Sequence, residues 1–315
     1  MDSRLFFICA LFGFAVGCVT EVAQPADDGD QPLAWDNTSA ENAPDEELPP
    51  TNCPMRGACP LQNGLVANYL FEEFSAGTAS VARNDSSDCA HHLFDPTYVA
   101  STATAHSGLF AARNLNAEDN FLTRTDSRSL SVFHAGRSFT VAAWFQIAQE
   151  PTTGGRALFM KGTKVGASPV REFAIEHQPA GSSCGGSQEG TNHIHVAVFD
   201  QTLPGAAGVT LDVPNTNVDP NGFDPTASVG QWQFVIAWHD NTTRTLSIQL
   251  NNGTVYSIST AAMTIRNTTA PLVLGGKDFG TGKNWDGIYD EVAIWNRILT
   301  PSERSSVFSN GVVCP

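Results

Sequence analysis

The chain has 315 residues, of which 32 are acidic and 17 basic, so its formal net charge at neutral pH is −15. A chain this acidic, with no basic cluster, lacks the positive surface that binds nucleic acid or anionic lipid. Its length is sufficient for one large domain with an extensive core.

The first segment has the pattern of an export signal. Residues 5–17 form a 13-residue apolar run after Arg4, which is too short to cross a bilayer as a helix but suits a signal peptide. The run ends in Ala-Val-Gly-Cys, which resembles the lipobox of bacterial lipoproteins. The resemblance implies that residues 1–17 are removed and that Cys18 carries lipid. Val19 then implies an outer-membrane or cell-surface destination. An ordinary secretory signal is the alternative.

Residues 18–59 have the composition of a tether. They contain nine acids, one base and six prolines, which gives this segment a net charge of −8. High charge, frequent proline and few apolar residues predict disorder. We therefore expect a single globular domain over residues 60–315, which the tether holds away from the membrane. The lipid is then the only expected contact with the membrane.

The cysteines outside the signal and the lipidation site form an odd set in an oxidising compartment: Cys53, Cys59, Cys89, Cys184 and Cys314. Because chain termini often lie close together in a domain, a bridge from Cys314 to Cys59 or Cys53 is favoured. Spacing alone does not fix the pairing.

Most of the domain has strand signals separated by turns. The predicted strands are 65–71, 139–148, 156–161, 171–176, 193–199, 231–239, 245–250, 254–258, 271–274 and 288–295. Asn251-Asn252-Gly253 indicates a hairpin turn, and residues 178–192 and 201–230 have the composition of long loops. Only 301–308 has a helical pattern, beginning with an N-cap and capping box at Thr300-Pro301-Ser302-Glu303. This pattern predicts an all-β sandwich or jelly roll.

The last predicted strand carries an acid in an unusual position. Asp290 shares strand parity with Ile288, Val292 and Ile294. A carboxylate on an apolar face must be paired, hydrogen-bonded or bound to a metal ion.

Five motifs in order resemble those of laminin-G-like (concanavalin A-like) jelly-roll domains, and together they span about residues 64–310. They are the opening strand at 64–73, the Asn84-Asp85-Ser86-Ser87 turn followed by His91-His92, the strand at 138–145, Gly230-Gln231-Trp232-Gln233-Phe234-Val235, and the segment 285–303. The resemblance implies a two-sheet antiparallel sandwich with its first and last long strands adjacent. It also implies a structural Ca²⁺ at the rim, held by Asp85 and Asp290, with Glu72, Glu73 and Asp286 as weaker candidates. Oxygen ligands suit Ca²⁺. The alternative is that Asp85 caps a turn and Asp290 accepts backbone hydrogen bonds.

Glu172 and Glu176 resemble the acids of family 16-type glucanases, which share the fold and carry Glu-x-Asp-x-Glu. Here Ala174 takes the place of the middle acid, and residues four apart on a strand have Cα atoms roughly 13 Å apart. A retaining glycosidase needs its carboxyls about 5–5.5 Å apart. We interpret both acids as surface residues. The chain also has no Gly-x-Ser-x-Gly elbow or P-loop.

Two other groups of residues are candidates for ligand binding. His193 and His195 lie on the same side of one strand and, with His177, could ligate a transition metal. However, no Cys or Asp has a convincing spacing, and solvated strand histidines are more common. Among the aromatics, Trp144, Trp232, Trp238 and Trp295 lie on strand patterns and are predicted core residues. Trp285, Tyr98 and Phe223 are better placed to stack on a sugar.

The sequence therefore favours a surface-tethered, non-catalytic binding module for a glycan or a cell-surface protein, with no nucleic-acid partner. One alternative is a structural or adhesion protein without sugar specificity. A less favoured one is a glycoside hydrolase.

Overall fold

The computed structural model describes residues 60–72, 82–83, 86–87, 91–115, 119–134, 136–152, 154–165, 168–179, 193–202, 208–213, 229–276 and 284–312. The predicted leader, tether and lipidation site lie outside these ranges. So do Asp85, Glu73, Phe223 and all five disulfide candidates.

Within these described ranges, sixteen strands and one α-helix follow a short 3₁₀ turn at Pro60–Gln62. The strands are β1 Leu65–Tyr69, β2 Ala82–Arg83, β3 Leu93–Phe94, β4 Ala100–Thr102, β5 Ala111–Asn114, β6 Leu122–Arg124, β7 Phe139–Ile147, β8 Arg156–Val165, β9 Ser168–Gln178, β10 His193–Phe199, β11 Gly208–Asp212, β12 Trp232–Asp240, β13 Thr245–Leu250, β14 Val255–Ser259, β15 Leu272–Leu274 and β16 Gly287–Trp295. Helix α1 spans Pro301–Asn310. Among the described residues, no helix has the length and apolar content needed to cross a bilayer.

The strands form two antiparallel sheets, which confirms the predicted sandwich. Sheet A has the order β14-β13-β12-β7-β16-β5-β4, and β1 pairs with β16 beside this path. Sheet B has the order β11-β10-β9-β8-β15-β6-β3-β2. The pairing of β1 with β16 confirms that the first and last long strands are neighbours.

The main core lies between the sheets. Phe133, Phe139, Phe159 and Phe173 form an aromatic cluster there, with ring centroids 4.9–5.8 Å apart. Such offset and edge-to-face pairs add to the stabilisation from burial. Phe139 belongs to sheet A, Phe159 and Phe173 belong to sheet B, and Phe133 lies in the connection before β7, so the cluster joins the two layers.

A second apolar cluster covers the outer face of sheet A. Helix α1 packs there, and Trp144, Trp238 and Trp295 are buried as predicted, whereas Trp232 is only partly buried. The capping box at Thr300 and Glu303 is formed in both directions. The second apolar face of β7 is thus explained by the helix that packs on it.

A bulge in β16 changes the expected position of Asp290. The register with β7 shifts between Asp290, which faces Trp144, and Ala293, which faces Ala142; Glu291 adopts a φ of 48°. A bulge places an extra residue on one strand and reverses the alternation beyond it. Asp290 therefore lies on the outer face, whereas Val292 and Ile294 face the main core. The predicted parity with Ile288 holds, because Ile288 and Asp290 both lie before the bulge, but the parity with Val292 and Ile294 was wrong because a regular strand was assumed.

Candidate functional site

Asp290, the main described candidate for the calcium rim, lies buried beneath the connection between β4 and β5. Its Oδ2 accepts hydrogen bonds from the backbone N–H groups of His106 (3.0 Å) and Ser107 (3.3 Å), and its Oδ1 accepts one from Glu291 (2.8 Å). Burial raises the pKa of Asp290 to about 7, despite these hydrogen bonds. The contacts match the hydrogen-bonded alternative, and calcium binding stays a prediction.

The two weaker candidates that the structure describes have different partners. The Glu72 carboxylate accepts hydrogen bonds from the backbone N–H of Leu109 (2.9 and 3.0 Å) and of Phe110 (3.4 Å). Asp290 and Glu72 therefore hold the same 106–110 segment. Asp286 instead pairs with Arg156, at 3.3 Å. The structure thus brings Glu72, but not Asp286, to the segment that Asp290 binds.

The predicted sugar-stacking aromatics have opposite environments. Trp285 is only 1 % exposed and packs edge-to-face on Phe145, with ring centroids 5.5 Å apart. The prediction for Trp285 was wrong because this ring belongs to the core. Tyr98 is 66 % exposed and has a φ of 61°, which is an uncommon conformation for a residue with a side chain.

The loop that carries Tyr98 is fixed on both sides of the ring. The backbone N–H of Val99 donates to Asp95 Oδ1 (2.8 Å), while the Thr97 hydroxyl exchanges hydrogen bonds with the backbone of Phe121 at 2.8 and 2.9 Å. Four residues before Tyr98, Phe94 is 52 % exposed and lies 5.7 Å from the Arg124 guanidinium. The sequence analysis missed Phe94, although a strand with Leu93 facing inward places its next side chain outward.

Glu172 lies in a buried charge cluster. Its Oε1 accepts hydrogen bonds from the backbone N–H and the hydroxyl of Thr268, both at 2.7 Å, and lies 3.6 Å from Lys161 Nζ. Lys161 also pairs with Asp126 at 2.7 Å. Burial raises the pKa of Glu172, and Lys161 opposes that shift. The interpretation of Glu172 as a surface acid was wrong, because this carboxylate has no exposure.

The same interpretation was wrong for Glu176, which is only 3 % exposed and has polar neighbours. Its Oε2 lies 3.2 Å from His195 Nε2 and accepts a hydrogen bond from Gln178 (2.5 Å). Between the two acids, Ala174 packs in an apolar cluster on the outer face of sheet B with Ala157, Met160, Ala197 and Phe199. The position of the middle glucanase acid is therefore part of a buried apolar surface.

A polar row crosses three neighbouring strands of sheet B. Glu176, His195 and Asp212 lie directly opposite one another on β9, β10 and β11. Asp212 Oδ1 is 3.4 Å from His195 Nδ1 and 3.2 Å from His193 Nε2. The expectation of solvated histidines was wrong, since His193 is 1 % and His195 9 % exposed. His177 does not join this group.

Asp212 was missed because residues 201–230 were predicted to be a loop, although β11 lies within them. Burial tends to raise the pKa of Asp212, but its hydrogen bonds with His193 and His195 outweigh burial and lower it. Burial tends to lower the pKa of His195, and its hydrogen bonds with Asp212 and Glu176 raise it overall. The imidazoles of His193 and His195 therefore both contact Asp212 Oδ1, and the second ring nitrogen of His195 contacts the Glu176 carboxylate.

Comparisons with known proteins identify the fold. A family model described as the concanavalin A-like lectin/glucanases superfamily matches residues 117–303. No curated protein matches the chain. The binding domain of Paraclostridial Mosquitocidal Protein 1 is a similar solved structure, with a TM-score of 0.59, 15 % identity, and coverage of 79 % of this chain and 52 % of that one.

Two botulinum neurotoxin structures are also similar. The type C toxin, whose cell entry depends on interaction with two ganglioside molecules, has a TM-score of 0.55 and 12 % identity, covering 81 % of this chain and 52 % of that one. The binding domain of type DC, in complex with rat synaptotagmin II, has a TM-score of 0.52 and 11 % identity, covering 80 % and 52 %. The chain spans about half the length of these structures, so the likeness concerns the jelly-roll fold.

Proposed function

The chain belongs to the concanavalin A-like lectin/glucanases superfamily, and from this premise we propose that it is a non-catalytic binding module whose partner is a glycan. The observation that carries the proposal is Tyr98, a largely exposed ring on a loop fixed by Asp95 and Thr97. A preorganised aromatic ring offers an apolar face and a polar hydroxyl to a ligand at little entropic cost.

The acids of β9 support the non-catalytic part of the proposal. Glu172 is bound to Thr268 and Lys161, Glu176 is bound to Gln178 and His195, and Ala174 lies in an apolar cluster. A retaining or inverting glycosidase needs two carboxyls free to act on either side of one glycosidic bond. Both acids here have structural partners instead.

The nature of the partner is suggested by proteins with the same fold. Type C neurotoxin interacts with gangliosides and type DC with synaptotagmin, so both glycan and protein partners occur among similar structures. The exposed Tyr98 and Phe94 favour the glycan, because aromatic rings can stack on the apolar face of a sugar. A cell-surface protein is the partner to consider if no glycan binds.

We also propose that Ca²⁺ stabilises the rim, with Asp290 and Asp85 as ligands and Glu72 and Glu73 as weaker candidates. A carboxylate has about four lone-pair sites, and Asp290 uses three for backbone hydrogen bonds. The adjacent Glu291 has a buried Oε2 without a hydrogen bond among the described residues. A cation would offset the repulsion between these two acids.

The attachment of the protein to the cell envelope is a further part of the proposal. Its support is the lipobox-like sequence ending in Cys18 and the acidic, proline-rich segment at 18–59. We propose that a lipid on Cys18 anchors the protein to the outer membrane or cell surface. The mass of the mature protein tests this directly, because an unlipidated Cys18 would refute it.

A glycan-array screen of the full chain, with Ca²⁺ or with chelator, tests the binding function. We expect binding by the wild type, loss of binding in Tyr98→Ala, and retention in Val255→Ala. Val255 is a matched control because it is an exposed apolar residue on β14, at the edge of sheet A. Absence of binding under both conditions, or equal binding by all three proteins, would refute the glycan proposal.

A further inference from the structure

We propose that His193, His195 and Asp212 bind a divalent transition metal ion of the Zn²⁺ class between β10 and β11. Among the residues that the structure describes, the site consists of one Asp212 oxygen and one nitrogen from each imidazole. The three ligand atoms lie within 4.8 Å of one another. This site differs in position and in ligand chemistry from the calcium rim at Asp290.

The spacing of the ligand atoms fits a tetrahedral ion. Ligands bound to Zn²⁺ at about 2.0–2.1 Å in tetrahedral geometry lie about 3.4 Å from one another. The Asp212 Oδ1 atom is 3.2 Å from His193 Nε2 and 3.4 Å from His195 Nδ1. Two edges of the ligand triangle therefore already have the required length.

Glu176 gives a second and independent indication. His195 directs Nδ1 toward Asp212 and Nε2 toward Glu176 Oε2, at 3.2 Å. A histidine that binds metal through one ring nitrogen usually donates the other N–H to a carboxylate, which fixes the ring and its tautomer. Gln178 (2.5 Å) and Arg171 (3.8 Å) in turn hold the Glu176 carboxylate. Glu176 would thus act as a positioning residue.

The donor set determines the class of ion. Two imidazoles and a carboxylate suit Zn²⁺ and related transition ions, whereas Ca²⁺ takes six to eight oxygen ligands. Because His193 is almost fully buried while the Asp212 side chain is 17 % exposed, an ion could enter from the Asp212 side. Three protein ligands leave a fourth position for water or a ligand atom.

The location gives the ion a structural role. β11 is the edge strand of sheet B and pairs only with β10 among the described strands. The two histidines belong to β10 and Asp212 to the end of β11. A bound ion would therefore fasten the edge strand to its neighbour, and binding only to the folded state must raise stability.

The site is tested by titrating the metal-free full chain with Zn²⁺ in a calorimeter, alongside Asp212→Asn, His195→Ala and Glu176→Gln. His134→Ala is the matched control because His134 is a partly exposed histidine outside the cluster. We expect saturable binding that Asp212→Asn and His195→Ala abolish. Glu176→Gln should weaken it about 10- to 100-fold, and His134→Ala should leave it unchanged.

An alternative is that a protonated His195 simply bridges Asp212 and Glu176. In that case the wild type and Asp212→Asn would have the same Zn²⁺ affinity, and this result would overturn the proposal. The absorption spectrum of the Co²⁺-loaded wild type tests the site without any variant. Bands of histidine and carboxylate ligation support the proposal, whereas a thiolate charge-transfer band alone would place the metal on cysteine and overturn it.

Discussion

Replacing Lys161 with methionine should destabilise the domain strongly, because Lys161 is the shared cation of two buried acids. Its Nζ lies 2.7 Å from Asp126 and 3.6 Å from Glu172, and it also donates to the carbonyl of Ala270. Methionine keeps most of the volume but removes the charge and the donors. Removing one partner of a buried ion pair typically costs about 3–5 kcal/mol, and we expect a loss of this size.

The second substitution identifies the source of that loss. In Lys161→Met, the buried carboxylates of Glu172 and Asp126 would lose the cation that they share. Adding Glu172→Gln removes one of these charges while its side-chain oxygen can still accept the Thr268 hydrogen bonds. The double variant should therefore be less destabilised than the sum of the single variants, with a coupling above about 1 kcal/mol.

The measurement is urea unfolding of the wild type, both single variants and the double variant at pH 7. The difference in the free energy of unfolding between the wild type and Lys161→Met should also become smaller as the pH falls, because protonation neutralises the carboxylates of Glu172 and Asp126. If the effects of the two substitutions on the free energy of unfolding were additive within about 0.5 kcal/mol, Glu172 and Lys161 would not interact energetically. The argument that this acid has a structural role would then fail.

Three further predictions concern β16 and the helix that follows it. The pKa of Asp290 is raised from 3.8 to about 7, so the folded state binds the extra proton between these values. In the presence of chelator, the free energy of unfolding should thus fall as pH rises through this window, by up to about 4 kcal/mol. Urea unfolding at several pH values should show a smaller fall for Asp290→Asn. Added Ca²⁺ should also make the fall in the wild type smaller. Thr300→Ala should cost about 1 kcal/mol in thermal unfolding because it removes the side-chain cap of α1, and an unchanged Tm would contradict the capping role. Gly287→Ala should lower the urea midpoint because its Cβ would lie 1.9 Å from the Gln146 carbonyl oxygen, and a wild-type midpoint would show that this contact relaxes.

Local signals predicted much of the fold. The alternation in β7, the Asn251-Asn252 turn with both residues at positive φ, and the capping box of α1 all depend on near neighbours in the chain. The strand ends were less predictable: β8 and β9 extend beyond their predicted ranges because each continues pairing with the other up to Val165 and Ser168.

The site was less predictable because its geometry depends on register and on long-range packing. The bulge after Asp290 has no strong sequence signal, yet because of it Asp290 and Val292 lie on opposite faces of sheet A. Likewise, His195 meets Asp212 only through the pairing of β10 with β11. Charged residues on alternate strand positions normally indicate a solvated face, but the outer face of sheet B is buried around Glu176.

The most direct test of the central claim combines equilibrium binding with product analysis on one glycan. The full chain is incubated with a free glycan of the kind that it bound on the array. The mass of the glycan is then measured by mass spectrometry. We predict saturable binding that Tyr98→Ala weakens at least tenfold, with the glycan recovered intact. Cleavage by the wild type that Glu172→Gln or Glu176→Gln abolishes, or binding unaffected by Tyr98→Ala, would contradict the account.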